Sequence, residues 1–339
     1  MHATESLAVA PATRLPRPVI VGHRGAPAYR PEHTVASYEL AIAQGADFIE
    51  PDVVVSKDGA LVVRHENELS HSTDIAGRAE FAHLRTTKEV GDRQCTGWFA
   101  EDLTLAELRT LRAVERLPEL RPLNTAYDGT SGILTLTEVV ELARRHATGN
   151  RTVRVLAELK KPTWSAAQGL PMTELVAAEL RELDSDTPDG TVVVQSFDAE
   201  GLRELRADLG NAGPTILQLI NDSPAQDHMV TPAGLRVIST YAQGIAPSRH
   251  RILLRGADQT LTGVSDLVEQ AHRAGLLVVP WTIRAENAFL PLHLRRGSDP
   301  SAIGNVAGEA WMLVDLGVDG LITDSPDLVR RVCSELVAA

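Results

Sequence analysis

Short runs of β-branched and aliphatic residues recur along this chain, each bounded by polar or turn-forming positions. Most are followed by a stretch with apolar residues three and four apart. Strands are predicted at 18–22, 47–55, 153–159, 191–196, 214–219, 236–240, 276–281 and 319–322. Helical periodicity is read over 35–43, 139–145, 173–183, 199–209, 264–274 and 326–336. Apolar strands alternating with amphipathic helices specify a parallel sheet with both faces covered. Eight such strands favour closure into a (β/α)8 TIM barrel over an open doubly wound sheet. No G-x-G-x-x-G follows the first strand, which counts against dinucleotide binding.

The rhythm breaks once. Between His65 and Thr135 no barrel strand is read, so an insertion at about 66–134 follows the second strand. Long insertions at the rim of a barrel are where specificity elements are grafted, although such a segment can also simply cover the barrel edge. Its Trp98-Phe99 pair either lines a small-ligand pocket or forms a miniature core. The reading is therefore an N-terminal tail at 1–17 and one barrel domain at 18–339 carrying the insertion.

Composition narrows the partners. The net charge of −12 makes nucleic acid and anionic membrane surfaces poor targets, and no run is long enough to span a bilayer. Any anionic substrate then needs local basic groups. The two cysteines, Cys95 and Cys333, are too far apart in sequence for a metal motif or a disulfide framework. The Leu7-Ala8-Val9-Ala10 patch is too short for the hydrophobic region of a signal peptide, so the chain reads as cytoplasmic unless an export signal lies outside this sequence. Nothing in the pattern selects an oligomeric state.

Candidate chemistry lies at the strand ends. Val19-Ile20-Val21 runs into Gly22-His23-Arg24-Gly25, and Phe48-Ile49 runs into Glu50-Pro51-Asp52. Side chains two apart on a strand share a face, so Glu50 and Asp52 converge. Glu158 and Lys160 repeat that spacing at the end of the next predicted strand. Three carboxylates suit a hard divalent cation, Ca2+ or Mg2+, better than zinc. Arginine and lysine beside them can neutralise phosphate, and histidine can move protons. Asp58-Gly59 between two valine-rich runs signals a hairpin. With those two as the loop, counting outward sets His65 opposite Asp52.

These segments together resemble the glycerophosphodiester phosphodiesterase family. The resemblance is carried by Gly22-His23-Arg24-Gly25-Ala26, Pro31-Glu32-His33-Thr34, Glu50-Pro51-Asp52, Lys57-Asp58-Gly59 and Val63-Arg64-His65. It continues in order through Ala157-Glu158-Leu159-Lys160, Gln195-Ser196-Phe197-Asp198, Gln218-Leu219-Ile220, Val279-Pro280-Trp281-Thr282 and Gly317 to Asp324. It implies metal-dependent hydrolysis of glycerophosphodiesters to glycerol 3-phosphate and an alcohol, on a TIM barrel. By the same resemblance Glu50, Asp52 and Glu158 are the metal ligands and His23 and His65 the general acid/base pair. Arg24, Lys160 and Trp281 are substrate contacts. Either water or the substrate's own C2 hydroxyl serves as nucleophile. One departure stands out: His65 is followed by Glu66 where the family usually has aspartate. The alternatives on the same fold are a phospholipase acting on lysophospholipids, by hydrolysis or head-group cyclisation, and a barrel that binds phosphorylated ligands without turnover.

Overall fold

The computed structural model describes residues 17–337 apart from positions 92 and 150, so the tail at 1–17 lies, Arg17 excepted, outside the described residues. The strands in chain order are β1 (Val19–His23), β2 (Phe48–Glu50), β3 (Asp52–Val55), β4 (Leu61–Val63), β5 (Thr86–Val90), β6 (Arg93–Gly97) and β7 (Arg154–Leu159). They continue with β8 (Val192–Ser196), β9 (Ile216–Ile220), β10 (Gly244–Pro247), β11 (Leu253–Arg255), β12 (Leu261–Val264), β13 (Leu277–Val278) and β14 (Gly320–Thr323).

Eight parallel staves form a barrel in the order β13-β10-β9-β8-β7-β2-β1-β14, with β3 continuing the stave of β2. Pro51 interrupts that stave without shifting it: Ile49 pairs with Val155 and Asp52 with Glu158, the same offset on either side. The two ends meet through Asp319 N–H to the Val278 carbonyl (2.8 Å), Ile322 N–H to Pro280 (3.0 Å) and Ile283 N–H to Ile322 (2.8 Å). The predicted barrel is therefore the observed one.

Two apolar layers hold it together. Val21, Leu156, Val193, Leu217, Leu219, Ala246, Val279 and Ile322 fill the barrel interior, while a larger cluster packs the outer strand faces against the helices. Because side chains alternate along a strand, the residue two beyond each interior one also points inward, at the carboxyl rim. That rule sends His23, Glu158, Gln195, Trp281 and Asp324 to one place.

The strand predicted at 236–240 is a correction. Pro232–Ile238 is helical, started by Thr231, whose hydroxyl accepts from Gly234 N–H (3.0 Å), with proline at the first helical position. The stave is Gly244–Pro247 instead. The β-branched Val237 and Ile238 mimic a strand, and the true one offers a single β-branched residue. An antiparallel pair, β11 and β12, follows it.

The insertion has its own core. Leu69, Ile75, Phe81, Trp98, Leu103, Leu108 and Leu111 pack on Val54 and Val62, the outward residues of the β3–β4 hairpin. Trp98 donates its indole N–H to the Phe81 carbonyl (2.6 Å), and Phe99 is fully buried. Of the two roles open to this aromatic pair, Trp98 takes the miniature core, while Phe99 is buried with Lys88 Nζ 4.9 Å from its ring centroid.

Candidate active site

The Gly22–Gly25 turn is built for close approach. Arg24 and Gly25 have φ of 58° and 98°, and a Cβ on Gly25 would lie 2.5 Å from Ser37 Oγ. Only glycine fits there. His33, also left-handed at φ 58°, donates its N–H to the Arg24 carbonyl (3.0 Å). The turn thereby presents His23 and Arg24 over the carboxylates.

Register places those carboxylates. His23 pairs with Glu50, Asp52 with Glu158, and Glu158 with Gln195. Gln195, fully buried, donates to Glu50 Oε1 (2.6 Å). Asp52 Oδ2 is 2.9 Å from His33 Nε2 and 3.1 Å from Arg24 Nε. Lys160 Nζ lies 2.7 Å from Glu158 Oε1 and 3.8 Å from Asp52 Oδ1. Glu50 Oε2 and Asp52 Oδ1 are buried with no hydrogen-bond partner among the described residues.

Charge is unevenly shared in this cluster. Burial together with the neighbouring carboxylates pushes Glu50 well above the usual carboxylate range. Burial likewise pushes Glu158 up to about 8, with Asp52 adding to it against the pull of Lys160. Burial also opposes ionisation of Asp52, but Lys160, Arg24 and His33 outweigh it and hold Asp52 well below that range. Three carboxylates facing two cations leave one negative charge without a basic side chain to offset it. The all-oxygen donor set and its two unpartnered buried oxygens fit a hard divalent cation. Among the described residues no three such groups already stand at ligand spacing, since Lys160 lies against two of the three.

His23 is the better supported histidine. Its Nδ1 is 2.5 Å from Asp324 Oδ1, and its Nε2 faces Glu50 Oε2 at 3.8 Å. An ionised Asp324 accepts from Nδ1–H and leaves the Nε2 lone pair toward the site. Burial and Arg24 bring His23 down to about 4.

His65 arrives by a different register from the one counted. Ser56 N–H bonds the Ala60 carbonyl (2.9 Å), so Lys57–Gly59 is a three-residue loop with Gly59 at φ +83°. Val53 pairs with Val63, and Arg64 N–H reaches the Asp52 carbonyl (2.9 Å). Arg64 thus holds the buried position opposite Asp52. His65 sits one residue beyond, its side chain 22% exposed and its Nδ1 3.0 Å from Glu66 Oε1. Burial, Arg24 and Lys160 lower it to about 3, so it still senses the cationic end of the site.

Trp281 closes another side, edge-on to Phe197 with centroids 5.5 Å apart and its indole N–H on the Ala246 carbonyl (2.8 Å). A cleft of about 980 Å³ leads from Glu158 and Lys160 between Phe197 and Trp164 on the barrel and Val90, Gly91 and Arg93 to Thr96 on the insertion.

Several contributors escaped the sequence reading. Asp324 and Gln195 were legible in principle, each two residues after an interior residue, Ile322 and Val193. Glu32, which accepts from Arg24 Nη1 (2.8 Å), sits in a quoted motif without an assigned role. Arg121 and Arg284, both on Asp324 Oδ2, carry no local signal at all.

Comparison with known proteins gives the family. The family model described as glycerophosphoryl diester phosphodiesterase family matches residues 23–328. A glycerophosphodiester phosphodiesterase of Arabidopsis thaliana is 33% identical over 328 residues, covering 91% of this chain and 84% of that protein. One from Bacillus subtilis is 30% identical over 321 residues, covering 93% and 86%. Among solved structures, one from Silicibacter pomeroyi superposes with a TM-score of 0.69 at 23% identity, covering 98% of this chain and 97% of that one. An Oleispira antarctica phosphodiesterase, in complex with the product sn-glycerol-3-phosphate, does so with 0.59 at 22%, covering 94% and 97%. Matched by the family model over residues 23–328 and sharing nearly its whole length with these enzymes, the chain belongs to the glycerophosphoryl diester phosphodiesterase family and is a phosphodiester hydrolase.

Proposed function

We propose that this enzyme hydrolyses small glycerophosphodiesters, glycerophosphocholine among them, to glycerol 3-phosphate and a free alcohol with the aid of Ca2+ or Mg2+. The observation that carries this reading is the meeting of His23, Arg24, Glu50, Asp52, Glu158 and Lys160 at one buried rim, with Glu50 Oε2 and Asp52 Oδ1 unpartnered. The product held by the Oleispira relative supports the same substrate class.

Glu50, Asp52 and Glu158 would hold the cation, which when bound supplies charge neutralisation and lowers the pKa of an oxygen beside it. Arg24 and Lys160 present their charge to the non-bridging phosphate oxygens, where negative charge spreads in the transition state. His23, its Nδ1 tied to Asp324, fits the base that takes the proton of the attacking hydroxyl at Nε2. His65, beside the residues that open the cleft, is neutral at rest and would return a proton to the departing alcohol oxygen after taking one up in the substrate complex, where the phosphate charge offsets Arg24 and Lys160. Trp281 and Phe197 give the glycerol carbons an apolar wall. The cleft is lined by charged groups, Glu158, Lys160 and Lys161 among them, and by the apolar Val90, Leu159, Trp164 and Phe197, so its lining does not by itself choose between a free diester and a lysophospholipid.

The test measures choline released from glycerophosphocholine, with glycerol 3-phosphate assayed as its co-product, and choline released from lysophosphatidylcholine in parallel. Exhaustive chelation should abolish release, and Ca2+ or Mg2+ should restore it. Full activity in protein shown metal-free by elemental analysis would overturn the cation. Release from the lysophospholipid alone would overturn the substrate class.

A further inference from the structure

The segment inserted between β4 and the helix Leu136–Arg145 does more than roof the barrel. Its last third, 115–124, lies across the first and last staves. Arg116 Nε reaches Glu32 Oε2 (2.9 Å), the carboxylate that also holds Arg24. Asn124 donates to the Pro27 carbonyl (2.9 Å) and to Glu115 (2.8 Å).

Arg121 is buried with them, its side chain 4% exposed. Its Nε donates to Glu286 (2.6 Å), Nη1 to the Pro27 carbonyl (3.0 Å) and Nη2 to Asp324 Oδ2 (2.5 Å). A planar fork with three fixed acceptors has one orientation. Asp324 Oδ2 also accepts from Arg284 Nε (2.9 Å), which leaves Oδ1 for His23. One carboxylate oxygen is thus pinned by cations from two distant segments, so the other cannot swing off the imidazole. Burial opposes charge on Asp324, but Arg284, Arg121 and His23 hold it well below the usual carboxylate range. The remaining charged groups facing this set are Arg24 and Glu50 against His23, and Glu286 against Arg121.

We propose that Arg121 is a positioning residue for His23: by pinning Asp324 it fixes the tautomer and orientation of the imidazole, so that the inserted segment completes the proton-transfer apparatus. Arg121 itself touches no reacting atom. The proposal rests on the reading of His23 as the proton-transfer group. It concerns an interaction of this chain's own residues, and it holds with or without a bound cation.

The experiment uses the full chain with Arg121→Gln and Arg121→Lys, wild-type diester hydrolysis being established first. If the wild type releases no glycerol 3-phosphate, the functional reading fails, and the imidazole measurement below still decides the proposal. The expected result for R121Q is a fall in kcat of about 10- to 100-fold, as for loss of a partner that orients a histidine. KM should stay within about threefold, because the substrate does not touch Arg121. Added guanidinium ion should restore part of the rate, and R121K should fall between the two. In 15N-histidine spectra of the substrate-free protein, with His23→Ala identifying the resonance, wild-type His23 should be the Nδ1–H tautomer and R121Q a mixture. If R121Q does not fold, R121K carries the same comparison. Unchanged kcat, a raised KM with kcat intact, or a lost rate with the His23 tautomer unaltered would each overturn the proposal.

Discussion

Arg24 shows how much one residue does here. It is buried, sits in a left-handed backbone conformation, and spans Glu32 (2.8 Å) and Asp52 (3.1 Å); in the function proposed above its charge serves the substrate phosphate. Lysine keeps the charge and loses the planar fork that satisfies two carboxylates at once. Arg24→Lys should lose on the order of tenfold to a thousandfold in kcat/KM, the scale of one electrostatic stabiliser. Unchanged turnover would make the residue a structural tie between Glu32 and Asp52. His23 supplies a prediction in pH. Burial and Arg24 lower it to about 4, so its imidazole stays a base well below the unperturbed value near 6.5. The acid limb of kcat/KM, which reports the free enzyme, should therefore fall near pH 4. Stability moves the same way. The unfolded chain binds the proton more readily, so protonation costs nothing above about 6.5 and about 1.4 kcal/mol per unit from there down to the folded value. Melting temperature against pH, wild type beside His23→Ala, should show a shallower acid slope in the variant. Parallel slopes would mean that the imidazole is protonated as easily in the fold as outside it.

At the scale of elements, the inserted lobe is a small packed core seated on the β3–β4 hairpin. Leu108, fully buried among Leu103, Leu111 and Trp98, is part of it, whereas Leu123 is 85% exposed. Leu108→Ala should cost about 2–5 kcal/mol in denaturant unfolding, the range for a buried leucine. Leu123→Ala should change stability by no more than about 0.5 kcal/mol, as surface substitutions usually do. Equal effects would show that the lobe is not a packed unit. The hairpin beneath it carries the lesson about register. Asp58-Gly59 correctly marked a turn, but Ser56 caps it by bonding both Asp58 and Ala60 N–H, and the loop becomes three residues long. That single added residue exchanged His65 for Arg64 opposite Asp52. Turn composition fixes where a hairpin reverses, and the local hydrogen bonds fix its register.

For the whole molecule, no helix among the described residues is long and apolar enough to cross a membrane, and the charge of −12 leaves anionic substrates dependent on the rim's own cations. The insertion staples the mouth on two sides, by Arg116 and Arg121 near β1 and β14, and by Lys161 Nζ on the Val90 carbonyl (3.0 Å) near β7. The sequence by itself determined the alternating strands and helices, hence the barrel. It also determined the residues that end each stave, because period-two alternation carries His23, Glu50, Glu158 and Trp281 inward once the interior is apolar. Those are local properties, written in neighbours two to four positions apart. The tertiary structure decided the rest. It decided that the stave near 240 is Gly244–Pro247 and not the β-branched stretch before it, since Thr231 and Pro232 start a helix there before the strand propensity can act. It decided that Trp98 joins the core of the lobe instead of facing a ligand. And it decided that Asp324, 301 residues after His23, is held on that imidazole by Arg121, 203 residues before it. Contacts of such span depend on closure of the barrel and docking of the lobe, and no periodicity in the chain encodes them.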